Sequence, residues 1–515
     1  MASLLAWAGA GQADPSPISP PRPPKVEVEG GVVVGAARGP AAVFRSIPYA
    51  TAPVGRLRWR PPAPVKAWAG ERAADTPGPA CPQLVPPGGV PNGGGYTGPV
   101  SEDCLTLDVT APLASLAHRA EGGRKTGAPV MVWIPGGGNV FGAANVPSYD
   151  AVNFARDGVI VVTMNYRLGA LGFFAHPALT AEAPKTQPLV NYGLMDQIAA
   201  LKWVKRNIAA FGGDPGNVTL FGESAGGGDT LALLSIPGDR GLFQKAVVES
   251  GGGWDHPATL AQRETQGAEL ATKLGLAGAA ATAAQLRALP ADKLVVSAGG
   301  IAEDGRLLTE TPTQAFARGH ALDVPLIIGS NSNEASVMAS FGLSAGVSSI
   351  TPELRQVYAA EAPSDAELAR VNFNDKAMGA PARWIAAKAS SKISGGAKAW
   401  LYYFSYVPER QRQIRPGTNH ASEIPFVFDS LDAVPGRTPL ITPSERATAA
   451  LTHSCWVAFA KTGVPACADG QAWPAYDPIT DQLLEFGIES GVRQHFRKAQ
   501  LDAQEKAAGN LITAP

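Results

Sequence analysis

The feature that most restricts what this chain can fold into is a strand that runs directly into a glycine-flanked serine. Residues 218–221, VTLF, have the β-branched and aromatic make-up of a buried strand. They lead without a spacer into Gly222-Glu223-Ser224-Ala225-Gly226 and then into the helix-forming stretch that contains ALLS. A sharp strand-to-helix turn lifts a serine hydroxyl above a sheet edge, and glycines on either side keep neighbouring atoms clear of it. The helix that starts there aims backbone N–H groups at developing negative charge. In a chain with 58 glycines the five-residue pattern alone is weak; the strand before it and the helix after it give it meaning.

The surrounding text supports the same architecture. Residues 129–134 (PVMVWI) and 158–164 (GVIVVTM) are short apolar runs of the kind buried on both faces of a sheet. Between them and VTLF, residues 191–210 place Leu194, Ile198, Leu201, Val204 and Ile208 at helical spacing, and GGDPGN reads as a turn. Strand, helix and strand in this order predict an α/β fold with a central, mostly parallel sheet and helices on both faces. Residues 255–320 and 351–395 are Ala/Leu-rich and read as large helical insertions. No internal repeat and no linker appear after residue 25, so residues 26–515 read as one domain. Residues 1–25 read as a signal-peptide-like remnant and a Pro-rich tail: the apolar, small-residue-rich start resembles the apolar part and cleavage region of a signal peptide but lacks its positive n-region.

Composition removes several function classes. The 43 basic and 44 acidic side chains give a net charge of −1, without the Lys/Arg footprint that nucleic-acid binding needs. No apolar run approaches the ~18 residues of a membrane span. Four cysteines occur, Cys81, Cys104, Cys455 and Cys467, with no CxxC pair to suggest a zinc or redox site. They are compatible with two local disulfides or with four buried thiols. Disulfides would fit export, and a periplasmic or secreted location is the expectation, with the cytoplasm as the alternative.

A second glycine cluster, Pro135-Gly136-Gly137-Gly138-Asn139, follows the strand at 129–134. It is an ordinary loop, a phosphate site, or a loop whose N–H groups hold a tetrahedral oxyanion without side-chain obstruction. No GxxxxGK[ST] supports phosphate, and the nearby Ser224 favours the oxyanion reading.

Taken together, IPYATAPVGRLRWRPP (47–62), SEDCLTLDV (101–109), WIPGGGNVFG (133–142), NYRLGALGFF (165–174), the long block 191–227 ending in GESAGG, and HASEIPFVF (420–428) resemble the type-B carboxylesterase/cholinesterase family of the α/β-hydrolase fold, in order, from about residue 28 to 480. The resemblance implies Ser224 as nucleophile, Glu334 in IIGSNSNEAS as the acid, His420 as general base, and the N–H groups of Gly137, Gly138 and Ala225 as the oxyanion hole. It also implies a Cys81–Cys104 disulfide, and it leaves Cys455 and Cys467 unassigned. The chain order Ser, acid, His is that of α/β-hydrolases. Asp304, in EDGRLL, is the rival acid and matches a structural turn of the family. The other histidines, His118, His176, His256, His320, His453 and His495, read as surface or core residues.

The implied chemistry is hydrolysis of small-molecule carboxylic esters through an acyl-serine, with no metal and no organic cofactor. Two departures bear on substrate: Pro135 stands where the family commonly has His or Tyr, and Asn139 where Phe is usual. Asn139 therefore predicts a roomier and more polar acyl pocket. The loop between Cys81 and Cys104 has no Trp to face a quaternary ammonium, which disfavours choline esters. Short aryl or alkyl esters are the default expectation, and bulky or polar xenobiotic esters (mycotoxin, phthalate or pyrethroid type) are open options. So are a lipase, with residues 336–350 as lid or gorge wall, and a binding protein that has lost catalysis.

Overall fold

A computed structural model describes residues 23–84, 96, 98–120, 127–254, 257–296, 300–348, 350–391 and 396–512. Most of the N-terminal tail, the centre of the loop between Cys81 and Cys104, and His256 lie outside these residues. Eleven strands form the main sheet: β1 (Ala36–Arg38), β2 (Ala41–Pro48), β3 (Thr106–Pro112), β4 (Ala128–Ile134), β5 (Ile160–Met164), β6 (Gly213–Glu223), β7 (Lys245–Glu249), β8 (Leu326–Asn331), β9 (Ala399–Phe404), β10 (Gln482–Phe486) and β11 (Gly491–Gln494). Their spatial order is β11-β10-β9-β8-β7-β6-β4-β5-β3-β2-β1. The pairs from β5 through β4, β6, β7, β8 and β9 to β10 are parallel; the pairs at both ends are antiparallel.

Strand periodicity explains why both faces are buried. Met131, Trp133, Phe221, Val247, Ile327 and Tyr402 pack into one apolar layer. Their strand neighbours Val132, Ile134, Leu220, Val248, Ile328 and Leu401 pack into the other, as alternation along a strand requires. The second layer is covered by α1 (Tyr192–Asn207), α2 (Ala225–Leu234) and α4 (Ala380–Ala389), and the first by α5 (Pro443–Thr462); α3 (Leu260–Lys273) belongs to the insertion that follows β7. In the first layer Trp133 meets the ring of Phe221 at 4.7 Å and that of Phe428 at 5.1 Å, both edge to face, the favoured aromatic geometry. Capping signals written in the sequence set the helix starts. Thr259 with Gln262 opens α3, and Thr442 with Glu445, followed by Pro443, opens α5.

One local expectation needs correction. The GGDPGN segment is not a free turn ahead of the strand, because β6 already begins at Gly213. Its pairing with β4 starts at Ala128↔Gly213, is interrupted, and resumes at Val130↔Val218. The extra residues form a bulge closed by the Asp214 carboxylate, which accepts from the Gly216 N–H at 2.8 Å.

Both cysteine pairs are joined, Cys81 to Cys104 and Cys455 to Cys467, and no described cysteine is free. No described helix is long and apolar enough to cross a membrane.

A buried ion pair ties the segment after β5 to α1. Arg167 donates to both Asp196 oxygens at 2.7 Å, and its backbone N–H adds a third bond at 3.1 Å. Both side chains are buried and the guanidinium lies over the Tyr192 ring. Removing one member strands the other charge in the core. Asp196→Ala should therefore cost about 3–5 kcal/mol, read as a lowered urea midpoint in equilibrium unfolding.

Candidate active site

The junction between β6 and α2 is a backbone device. Ser224 sits at φ 56°, ψ −123°, a conformation costly for a residue with a side chain. Its N–H is held by the Glu249 carbonyl at the end of β7, 2.8 Å away. The two flanking glycines permit the turn by close approach. A Cβ on Gly226 would come within 2.0 Å of the Ile134 carbonyl oxygen, and one on Gly222 within 2.6 Å of the Gly226 backbone. Ile134 is the last residue of β4, so this contact also places the Pro135–Asn139 loop against the serine. In that loop Gly137 and Gly138 have φ of 112° and 62°.

Ser224, Ala225, Gly138 and Asn139 border a cavity of about 1030 Å³ that extends to α3 and to the helices at 352–379. Asn139 is itself at φ 58°, a region that asparagine tolerates better than a bulky aromatic does. The Tyr166 hydroxyl lies 3.0 Å from its Oδ1 and 2.9 Å from the Pro135 carbonyl. The Asn139 amide donates to Asp229 at 3.1 Å, and Gln197 donates to the other Asp229 oxygen at 2.5 Å. The polarity of Asn139 is thus taken up within the cavity wall. Asp229, missed in the sequence, is fully buried, and burial pushes its carboxyl up to about 7 against the pull of those two donors.

Glu334 and His420 come together, and the ring of His420 lies beside Glu223, the residue before Ser224. His420 Nδ1 is 2.5 Å from Glu334 Oε2. Glu334 follows β8 and is fixed by the Ser250 hydroxyl at 2.6 Å and the Asn331 N–H at 2.5 Å. The His420 backbone N–H donates to Ser336 Oγ, and an isolated bridge between Asn333 and Asn419 sets the two loops side by side. His420 Nε2 makes no hydrogen bond, to Ser224 or elsewhere; it lies 3.1 Å from Glu223 Oε1, unaligned for one. The rival acid Asp304 is engaged elsewhere, accepting the N–H groups of Leu189, Leu307 and Leu308 at the turn it closes. His176 caps the short helix Pro177–Glu182 through Ala178 N, and His453 bridges the Val427 carbonyl and Asp157.

The electrostatics of the site are unusual for a buried place. Glu223, Glu249, Glu334 and Glu423 are all fully buried. Burial pushes the carboxyls of Glu223 and Glu249 well above the usual range, and that of Glu423 up to about 7, with neighbouring carboxylates adding to it. For His420, burial works against the charged ring, but the surrounding carboxylates outweigh it and the imidazole is raised. Glu223 and then Glu334 contribute most to that rise, and Glu334 is the one hydrogen-bonded to the ring. Sequence reading passed over Glu223 and Glu423, although each sits inside a quoted motif, one residue before Ser224 and three after His420.

Among its described residues the 336–350 stretch offers no continuous amphipathic helix. It begins with the single turn Val337–Ser340, after which Phe341 stacks on Phe141 at 5.9 Å, beside Gly138.

Comparison with known proteins agrees with this geometry. The family model described as Carboxylesterase family matches residues 22–504. The chain is 34% identical to a fumonisin B1 esterase of Sphingopyxis macrogoltabida over 95% of its length and 92% of that protein. It is 35% identical to the para-nitrobenzyl esterase of Bacillus subtilis (strain 168), over 89% and 94% respectively. Among solved structures, a para-nitrobenzyl esterase superposes with a TM-score of 0.77 at 32% identity, covering 93% of this chain and 99% of that one. A carboxylesterase of Geobacillus stearothermophilus does so at 0.78 and 30%, covering 94% and 99%. The serine turn, the adjoining glycine loop and these whole-length matches lead to one conclusion: the chain belongs to the carboxylesterase family, has the α/β-hydrolase fold, and is a carboxylic ester hydrolase.

Proposed function

We propose that Ser224, His420 and Glu334 act as a catalytic triad that cleaves bulky esters of the xenobiotic kind through an acyl-enzyme. The observations that carry the reading are the strained Ser224 bordering a large cavity and the His420–Glu334 pair, whose ring lies against the neighbouring Glu223. As Ser224 Oγ bonds to the ester carbonyl carbon, its proton passes to His420 Nε2, the ring nitrogen that has no other hydrogen bond. Apo enzymes often hold such contacts long and close them around substrate. Glu334 fixes the tautomer through Nδ1 and stabilises the imidazolium. The N–H groups of Gly137, Gly138 and Ala225 take the oxyanion; losing one such donor typically costs about 10²–10³ in turnover. The tetrahedral adduct collapses, His420 hands its proton to the departing alcohol, and water repeats the two steps on the acyl group. The route uses no metal and no cofactor.

Two supports favour bulky substrates: a cavity of about 1030 Å³ at the serine, at the upper end of the roughly 300–1,000 Å³ of small-molecule sites, and relatives named for fumonisin B1 and phenmedipham. The catalytic unit is residues 26–515. The two disulfides favour a periplasmic or secreted location.

On a 4-nitrophenyl acyl-chain series, Ser224→Ala should lower kcat by about 10⁴-fold or more while leaving the circular dichroism spectrum intact. Residual turnover near wild type would remove Ser224 from the mechanism.

The histidine also sets a pH dependence. Only neutral His420 accepts a proton, and its raised pKa puts the acid limb of kcat/KM above pH 6.5, the value of an ordinary imidazole. Glu334→Gln removes one of the carboxylates that raise it, the one hydrogen-bonded to the ring, so the limb should move to lower pH while kcat falls about 10³–10⁴-fold. A pH–rate profile of both proteins reads the two effects separately.

A further inference from the structure

Among the described residues, the charged groups on the wall of the cavity in front of Ser224 are unbalanced. Among the described residues, the ionisable side chains that border it are Arg263 on α3, Lys376 in the π-helical turn Asp375–Gly379, and Asp229 on α2. Asp229 is no counter-ion for the two cations. It is buried behind Asn139, and its oxygens are taken by the Asn139 and Gln197 amides. Arg263 is half-buried and donates only to neutral acceptors, Gln266 Oε1 at 3.1 Å and the Ile301 carbonyl at 3.4 Å. Its Nε is buried without a partner, and so is the indole N–H of Trp254 on the same wall. No ion pair among the described residues involves Lys376, which is exposed where it borders the cavity.

A cleft lined by one sign of charge, with low-dielectric walls, concentrates ligands of the opposite sign. A half-buried guanidinium without a carboxylate keeps an unmet demand for one, which a charge-assisted hydrogen bond fills better than a neutral acceptor does. We propose that Arg263 and Lys376 select esters that carry a free carboxylate, holding that anion while the ester carbonyl is presented to Ser224. The inference rests on Ser224 being the nucleophile and goes beyond it by naming the substrate class. The unpartnered Trp254 N–H supplies a further donor to the same oxygen-rich ligand.

The test compares matched esters that differ only in charge. On the acyl side, 4-nitrophenyl hemiesters of adipate and suberate are set against the same chains ended in a primary amide. On the alcohol side, 3-carboxyphenyl butyrate is set against 3-carbamoylphenyl butyrate. The wild type should favour the carboxylate in at least one pair by about tenfold or more in kcat/KM at low salt. That preference should shrink in about 0.5 M NaCl, where screening is short-ranged. Arg263→Gln and Lys376→Gln should each reduce the carboxylate-to-amide ratio several-fold, mainly through KM, and Arg263→Lys should keep part of it. Equal or better turnover of the amides in every pair would overturn the proposal, as would a ratio unmoved by both Gln substitutions. Hydrolysis of plain 4-nitrophenyl butyrate, lost in Ser224→Ala, keeps the two readings apart. If it persists while the ratios fail, only the anion selectivity falls; if it is absent in the wild type, both fall.

Discussion

The site depends on one backbone contact, the approach of the first turn of α2 to the end of β4. A methyl group at Gly226 would lie 2.0 Å from the Ile134 carbonyl oxygen, so only glycine allows the two to touch. Pushing them apart would move Ser224, which precedes Gly226 by two residues, and the Pro135–Asn139 loop, which leaves β4 immediately after Ile134. The serine turn and the glycine loop are therefore positioned by the same atoms. The parallel register carries this outward: β4 and β7 flank β6 on either side, and the Glu249 carbonyl holds the Ser224 N–H. The strain at Ser224 is sustained because the sheet over-determines its backbone.

A second layer of organisation reaches the glycine loop from behind. Arg167, held by Asp196, fixes the chain next to Tyr166, whose hydroxyl meets the Pro135 carbonyl and the Asn139 side chain. Asn139 is clamped from α2 as well, through Asp229, and Gly169 donates to its carbonyl at 2.7 Å. The loop that would receive an oxyanion is thus braced by α1, α2 and the segment after β5. Such preorganisation matters because donors that must reorganise as charge develops lose much of their worth.

Much of this was legible in the sequence for reasons of chemistry. GxSxG after a strand, a glycine triplet after another, and the order Ser224, Glu334, His420 are constraints on the backbone and on chain direction, and those are written in local residue types. The parallel core was legible because strands covered on both faces are apolar without alternation. The edge of β6 was not, because Asp-Pro-Gly-Asn reads as a turn whether it ends a loop or forms a bulge inside a ladder. Asp229 and Glu249 were not legible either. Neither lies in a motif that demands an acid, and their meaning comes from partners far away in the chain, Gln197 for one and Trp456 for the other.

The cluster of buried carboxylates and the unbalanced cations of the cavity are two sides of one electrostatic arrangement. Glu223, Glu249 and Glu423 are buried with Glu334 around a single imidazole, and burial favours their protonated forms. Glu223 and Glu334 are the carboxyl groups in closest reach of His420, and Glu334 holds its Nδ1 side through a hydrogen bond. The wall of the cavity that Ser224 borders carries Arg263 and Lys376. An anionic ester would then meet positive charge along its length and little uncompensated negative charge at the reacting carbonyl. Were all four carboxylates ionised, the potential near Ser224 would repel the same ester and oppose the oxyanion. Burial, which favours the neutral forms of Glu223, Glu249 and Glu423, works against that repulsion.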